Sequence, residues 1–154
     1  MSVTRIMTKD VVSVGLDESL RTVHDIFQQQ NFHHLLVVEE DKLIGVISDR
    51  DLNQAISPFV GTLEEQARDL VTLNLKAQQI MSRDPIVVTA KDSIFKAIKI
   101  FNRNTISCIP VVDEQGKPIG IISWRDVLRY SERLVKERKH GKSAGKKSPS
   151  KSKA

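Results

Sequence analysis

The chain has 154 residues, 40% hydrophobic and 28% charged, enough to bury the core of one domain or of two very small ones. Its net charge of +5 sits at one end: residues 139–154 hold six lysines and no acid, so the rest carries 5 − 6 = −1 and shows no basic bias that would point to a nucleic-acid surface. One cysteine, Cys108, excludes an internal disulfide, and no apolar run approaches the roughly 20 residues of a membrane helix. The opening MSVTRIMTKD lacks the apolar centre of a signal peptide, so a soluble cytoplasmic protein is expected.

In chain order, residues 11–14 are a short β-branched run of strand type. Asp17 or Ser19 then suits an N-cap for a helix with Leu20, Val23, Ile26 and Phe27 at helical spacing. Two apolar runs, 35–38 and 43–47, flank the polar turn Glu39-Glu40-Asp41-Lys42 and predict a hairpin, followed by a helix over 50–56. Ser57-Pro58-Phe59-Val60-Gly61 breaks the chain. Thr62, with Glu65 three residues on, fits a capping box and predicts a helix to about Leu70, then an extended lead-in through Leu73 and Leu75. The series now returns: a strand at 86–89, Asp92 or Ser93 as a cap, and Ile94, Ala97, Ile98 and Phe101 on a helical stripe. A hairpin of 109–112 with 119–122 follows, then a helix over 125–134. Residues 139–154, of Lys, Ser, Gly, Ala, one Pro and one His, have nothing to bury and are expected to be disordered.

The return is a duplication. A shift of 74 places Met7 on Met81, Asp10 on Asp84, Ser19 on Ser93 and Phe27 on Phe101. After one extra residue in the second turn, a shift of 75 places Gly45, Ile47, Ser48, Arg50 and Asp51 on Gly120, Ile122, Ser123, Arg125 and Asp126. The expected organisation is a first repeat over 4–57, a linker with a short helix over 58–77, and a second repeat over 78–136. Each repeat reads strand, helix, strand, strand, helix, an α+β or α/β unit.

The openings MTKDVVSV and MSRDPIVV, the closings GVISDRDL and GIISWRDV, and the second-half SCIPVVD resemble the cystathionine-β-synthase (CBS) domain. Two in tandem resemble a Bateman module, and the resemblance covers residues 4–136. It implies two halves packed about a pseudo-twofold axis, with two clefts that hold adenosine nucleotides: AMP foremost, then ADP, ATP or S-adenosylmethionine. One cleft would combine Val46, Ser48 and Asp51 with Ser82, Ile86, Ile106 and Ser107; the other Ile121, Ser123 and Asp126 with Thr8, Val12, Phe32 and His33. The Asp would accept from the ribose hydroxyls and the Ser would reach a phosphate, beside a helix N-terminus that favours anions. The adenine would take an apolar slot. His33 and His34 stand where related modules place basic residues beside phosphates, and Arg50 and Arg125 precede each Asp.

Each of these residues also has a structural reading. Ser48-x-x-Asp51 and Ser123-x-x-Asp126 fit N-cap boxes, worth about 1 kcal/mol, although Glu suits the third position better. The two histidines point to opposite faces of a strand and suit a surface edge equally, and a metal site lacks further ligands at suitable spacing. Arg50 and Arg125 suit surface ion pairs, and Cys108 suits a packed thiol. Trp124, against Asp49 in the first repeat, fits either stacking or a dimer contact. Leu36 replaces the Pro found at 110, which leaves the geometry of the first half less fixed. No nucleophile–base pair, P-loop or HExxH occurs, so the expected function is non-catalytic. The ligand would bias the packing of the halves and signal to a separate protein, from a homodimer with no membrane contact. The alternative is a dimeric scaffold with empty clefts. Nucleic-acid contact through the lysines of 139–154 ranks below a merely solubilising tail, since no aromatic offers a stacking platform.

Overall fold

The computed structural model describes residues 1–144. In chain order the first repeat holds β1 (Ser13–Val14), α1 (Leu20–Gln29), β2 (His34–Glu39), β3 (Lys42–Ser48) and α2 (Asp49–Ala55). Two short helices, α3 (Ala67–Val71) and α4 (Ala77–Ile80), flank a 3₁₀ turn at Thr72–Asn74. Next come β4 (Ser82–Arg83), β5 (Val88–Thr89), α5 (Ile94–Arg103), β6 (Cys108–Val112), β7 (Pro118–Ser123) and α6 (Trp124–Ala144). A four-stranded sheet runs β1-β2-β3-β4 and a three-stranded sheet β5-β6-β7, a mixed α+β architecture as expected.

The repeats are built alike down to their irregularities. β1 pairs parallel to β2 and β5 to β6, and each hairpin shifts register at the same place, Val37/Val38 and Val111/Val112. Leu36, 1% exposed, fills the position of the fully buried Pro110 and leaves the hairpin register intact. Ser19 and Ser93, rather than Asp17 and Asp92, are the caps, accepting from Thr22 N–H and Lys96 N–H. Asp92 is instead held by Thr89 N–H at 2.8 Å and Lys96 Nζ at 2.9 Å. The opening strands are shorter than their β-branched runs, because only Ser13–Val14 and Val88–Thr89 reach a partner strand.

Each repeat, however, completes its sheet with the other's lead-in. β4 adds to the free edge of β3, pairing Val46 with Ser82, while Thr8 bridges Ile121 on β7. The apolar side chains follow. Val3 and Ile6 join the core of Val88, Ile94, Phe101, Ile109 and Ile122, whereas Ala77 and Met81 join that of Leu20, Val23, Leu35 and Ile47. A third cluster, Leu36, Val46 and Cys108 with Val11, Leu43 and Ile121, seals the seam between the repeats. The lead-in of each repeat thus packs into the core of the other.

Three expectations change. Thr62–Glu65 is not a helix start: Gly61, at φ +78°, donates to Glu65 Oε1 at 3.0 Å and Thr62 Oγ1 donates to Phe59 O at 2.7 Å, closing a turn. The helix begins four residues later because Gln66 N–H finds Asp69 Oδ2 at 2.8 Å. Asp69, buried, also accepts from Ser57 Oγ at 2.7 Å, which holds its carboxyl below the ordinary carboxylate range and ties the linker to the end of α2. The lead-in is helical rather than extended, with Leu73 buried in its 3₁₀ turn. Finally, α6 passes 134 and takes in residues 139–144 of the expected disordered tail. Lys, Arg and Glu favour a helix, Lys136 pairs with Glu132 at 2.9 Å one turn away, and cations near the C-terminus suit the helix dipole. The rest of the expected tail, 145–154, lies outside the described residues.

Candidate functional site: the strand-to-helix junctions

Both closing motifs end a hairpin strand at a serine and open a helix at the next residue. At the first, Asp51 N–H donates to Ser48 Oγ at 3.0 Å and Ser48 N–H donates to Asp51 Oδ2 at 2.9 Å. At the second, Ser123 N–H and Ser123 Oγ both donate to Asp126 Oδ2, at 2.8 and 3.0 Å. The capping box is thus complete at the first junction, while at the second Asp126 alone takes both bonds and Ser123 Oγ donates, and in each the shorter Asp serves. The cap also fixes each half-buried carboxylate while engaging one oxygen only: among the described residues, Oδ1 of both aspartates accepts no hydrogen bond. A carboxylate held this way can accept from two hydroxyls without moving.

The exchanged lead-ins bring expected partners to these junctions. Ser82 lies opposite buried Val46, and Thr8 exchanges two backbone bonds with Ile121, at 2.9 and 3.0 Å. His34 Nε2 meets Ser107 Oγ at 2.7 Å across the seam. Cys108 packs beside Leu36 and Val46, and burial, reinforced by the Asp51 charge, pushes its thiol up to about 12. That is an inert thiol.

Other expected residues make their contacts within their own repeat. Phe32 packs on Phe27, ring centroids 5.6 Å apart, and His33 Nδ1 meets Asp49 Oδ2 at 2.8 Å. Ile106 O accepts from Trp124 Nε1 at 3.0 Å, while Trp124 also leans on Phe101. Val12 packs in the first core and its carbonyl accepts from Leu36 N–H. Ile86 is 40% exposed, and Arg50 and Arg125 are exposed, without ion pairs among the described residues.

Burial lowers the pKa of His34 below 6.5, opposed in part by the Asp49 charge. A histidine held neutral in the folded state leaves the unfolded chain binding more protons, so stability present above pH 6.5 is lost as pH falls through the folded value. Urea midpoints at pH 7.5 and 5 should therefore fall less for His34→Gln than for the wild-type chain. An equal fall would show that the seam histidine does not set the acid response.

Around Asp126 the surface opens into a cavity of about 390 Å³ lined by Arg5, Ile6, Arg129, Glu132 and Arg133. A neighbouring hollow of about 300 Å³ shares Arg5 and Arg133 and adds Met1, Tyr130, Leu134 and Glu137. Both have the size of small-molecule sites. These arginines were not among the expected site residues. Their signal lay in the spacing of Asp126, Arg129 and Arg133, at i, i+3 and i+7 on one helix face, but only the fold brings Arg5 to them.

No helix of the described residues is long and apolar enough to cross a membrane. Among known proteins, the CBS domain profile matches residues 3–58 and 77–133. A CBS domain-containing protein of Dictyostelium discoideum is 30% identical over 128 residues, covering 82% of this chain and 88% of that protein. An uncharacterised protein of Methanocaldococcus jannaschii is 29% identical over 121 residues, 79% of this chain but 36% of its own length, so the chain spans about a third of that relative. The solved CBS domain pair of protein MJ0100, in complex with 5′-methylthioadenosine and S-adenosyl-L-methionine, superposes with a TM-score of 0.69 at 26% identity, covering 87% of this chain and 98% of that one. With a matching profile on both repeats and the fold of a CBS pair, this chain belongs to the CBS domain family.

Proposed function

We propose that the chain is a non-catalytic regulatory module that binds an adenine nucleotide at one or both strand-to-helix junctions and signals to a separate protein. The observation that carries this reading is the pair of aspartates, each fixed through Oδ2 and open at Oδ1, beside a helix start and a buried aliphatic strand. The 5′-methylthioadenosine and S-adenosyl-L-methionine held by the MJ0100 pair support an adenosine ligand. The repeats share a seam made of side chains from both, so a ligand favouring one arrangement of that seam would shift the population of states. A homodimer is part of the proposal. Trp124, Leu128 and Val135 are 53%, 65% and 53% exposed and fall on one face of α6, a stripe suited to a second copy.

Thermal unfolding with AMP, ADP, ATP, NADH and S-adenosylmethionine tests the reading, with light scattering on the same samples for mass. A nucleotide bound to the native state raises the midpoint by mass action, by about 2.7 kcal/mol of stability at a hundredfold excess over Kd. A flat response to every nucleotide would favour the scaffold with empty clefts, and a monomeric mass would remove the dimer.

A further inference from the structure

We propose that the cleft at Asp126 is built for a polyphosphorylated adenosine ligand, with Arg5, Arg129 and Arg133 holding a chain of phosphates rather than one. This rests on the adenosine reading and narrows it for one of the two junctions. Three guanidinium groups line a single cavity with Asp126. Among the described residues none of the three forms an ion pair, and Arg5 has only a 3.8 Å contact with the sulfur of Met1. Two acids share that cavity: Glu132 is bonded to Lys136 at 2.9 Å, and Asp126 caps α6 through Oδ2 and keeps Oδ1 for the ribose, while Glu137 lines only the neighbouring hollow. Like charges gathered in a hollow repel one another, and an anion that bridges them removes that repulsion while gaining charge-assisted, bidentate hydrogen bonds.

The layout favours an extended anion. Asp126, Arg129 and Arg133 follow one another along a face of α6, and seven residues span about 10 Å of helix axis. A monophosphate beside the ribose would reach one end of this row. The neighbouring hollow continues the row between Arg5 and Arg133.

The first repeat supplies an internal control. The repeat shifts place Gln79, Gln54 and Pro58 at the positions of Arg5, Arg129 and Arg133, and Asp49 at that of Trp124. The corresponding junction at Asp51 is therefore without the three cations and carries an extra carboxylate, on a hairpin of the same register, and its helix α2 ends at Ala55, before Pro58. The arginines mark what is particular to the second cleft rather than what the repeat needs in order to fold.

The test is titration calorimetry with AMP, ADP, ATP and inorganic tripolyphosphate, in EDTA at fixed ionic strength, on the wild-type chain and on Arg129→Gln/Arg133→Gln. Both positions are exposed on the helix, and the midpoint without ligand checks that the variant is folded. The wild-type chain is expected to bind ATP about tenfold or more tighter than AMP. In the variant ATP should lose at least about tenfold more affinity than AMP loses, so that the preference for ATP falls to within about twofold. Tripolyphosphate should compete with ATP on the wild-type chain and fail to bind the variant. AMP binding as tightly as ATP, or an ATP preference that survives in the variant, would overturn the proposal while leaving the adenosine reading intact. Tripolyphosphate binding that is lost in the variant, with no adenosine ligand bound, would instead uphold the phosphate row and sink the adenosine reading.

Discussion

Asp126→Asn and Asp51→Asn are expected to leave the chain as stable as before yet lower the affinity of their clefts for nucleotide about 10- to 100-fold, the worth of hydrogen bonds to a charged acceptor. The reasoning turns on the two oxygens of each side chain. Oδ2 accepts the cap bond from the serine N–H, 2.9 Å in the first repeat and 2.8 Å in the second. The amide oxygen of Asn can take over that bond, so the helix keeps its start. What remains is an NH₂ group, which donates where the ribose hydroxyls also donate. The Ala variants lose the cap as well, at about 1 kcal/mol, so their unliganded midpoints should drop by a few degrees, at about 2–4 °C per kcal/mol for a chain of this size. The informative quantity is the ligand-induced shift measured from each variant's own baseline. If Asn variants keep both stability and ligand shift, the aspartates are caps and nothing more.

The second large effect concerns the glycines of the closing motifs. A Cβ at Gly45 would stand 2.5 Å from Met81 Sδ and 3.0 Å from the carbonyl of Ser82; at Gly120 it would stand 2.5 Å from Met7 Sδ and 3.1 Å from the carbonyl of Thr8. Neither glycine has a positive φ, so the requirement is space and not backbone conformation. In each repeat the methionine and carbonyl belong to the lead-in of the other, so Gly45→Ala or Gly120→Ala wedges apart the contact that joins them. The expected cost is about 1–3 kcal/mol each, read as a lower urea midpoint. Truncating Met81 to Ala should relieve only part of the Gly45→Ala cost, because the Ser82 carbonyl is fixed by the β3–β4 pairing. Gly15→Ala is the control: nothing lies within 4 Å of its Cβ and it should cost nothing. Equal losses at Gly15 and Gly45 would mean that close approach is not why the motif carries glycine.

Much of this was legible in the chain itself. The hairpins fell where continuous apolar runs flank polar turns, and α1 and α5 where apolar residues recur at helical spacing after a serine cap. Local hydrogen bonds and burial of one face decide such elements, and both are written in neighbouring residues. The linker was misread because two capping boxes compete there. Thr62-x-x-Glu65 satisfies the spacing, but buried Asp69, drawn in by Ser57 from the end of α2, selects Gln66 as the start instead. A partner twelve residues away leaves no mark in a local pattern.

By itself, then, the sequence determined that this protein is a duplicated strand–helix–hairpin–helix unit with a Ser-x-x-Asp at each closing junction, because periodicity, caps and turns are short-range properties. Only the tertiary structure decided that each repeat borrows its last sheet edge from the other's lead-in, through Ser82 on β3 and Thr8 on β7. Only it gathered Arg5 with Arg129 and Arg133 around one of the two aspartates. A free strand edge accepts whatever backbone the global packing delivers, and charges more than a hundred residues apart become neighbours only once the cores have closed.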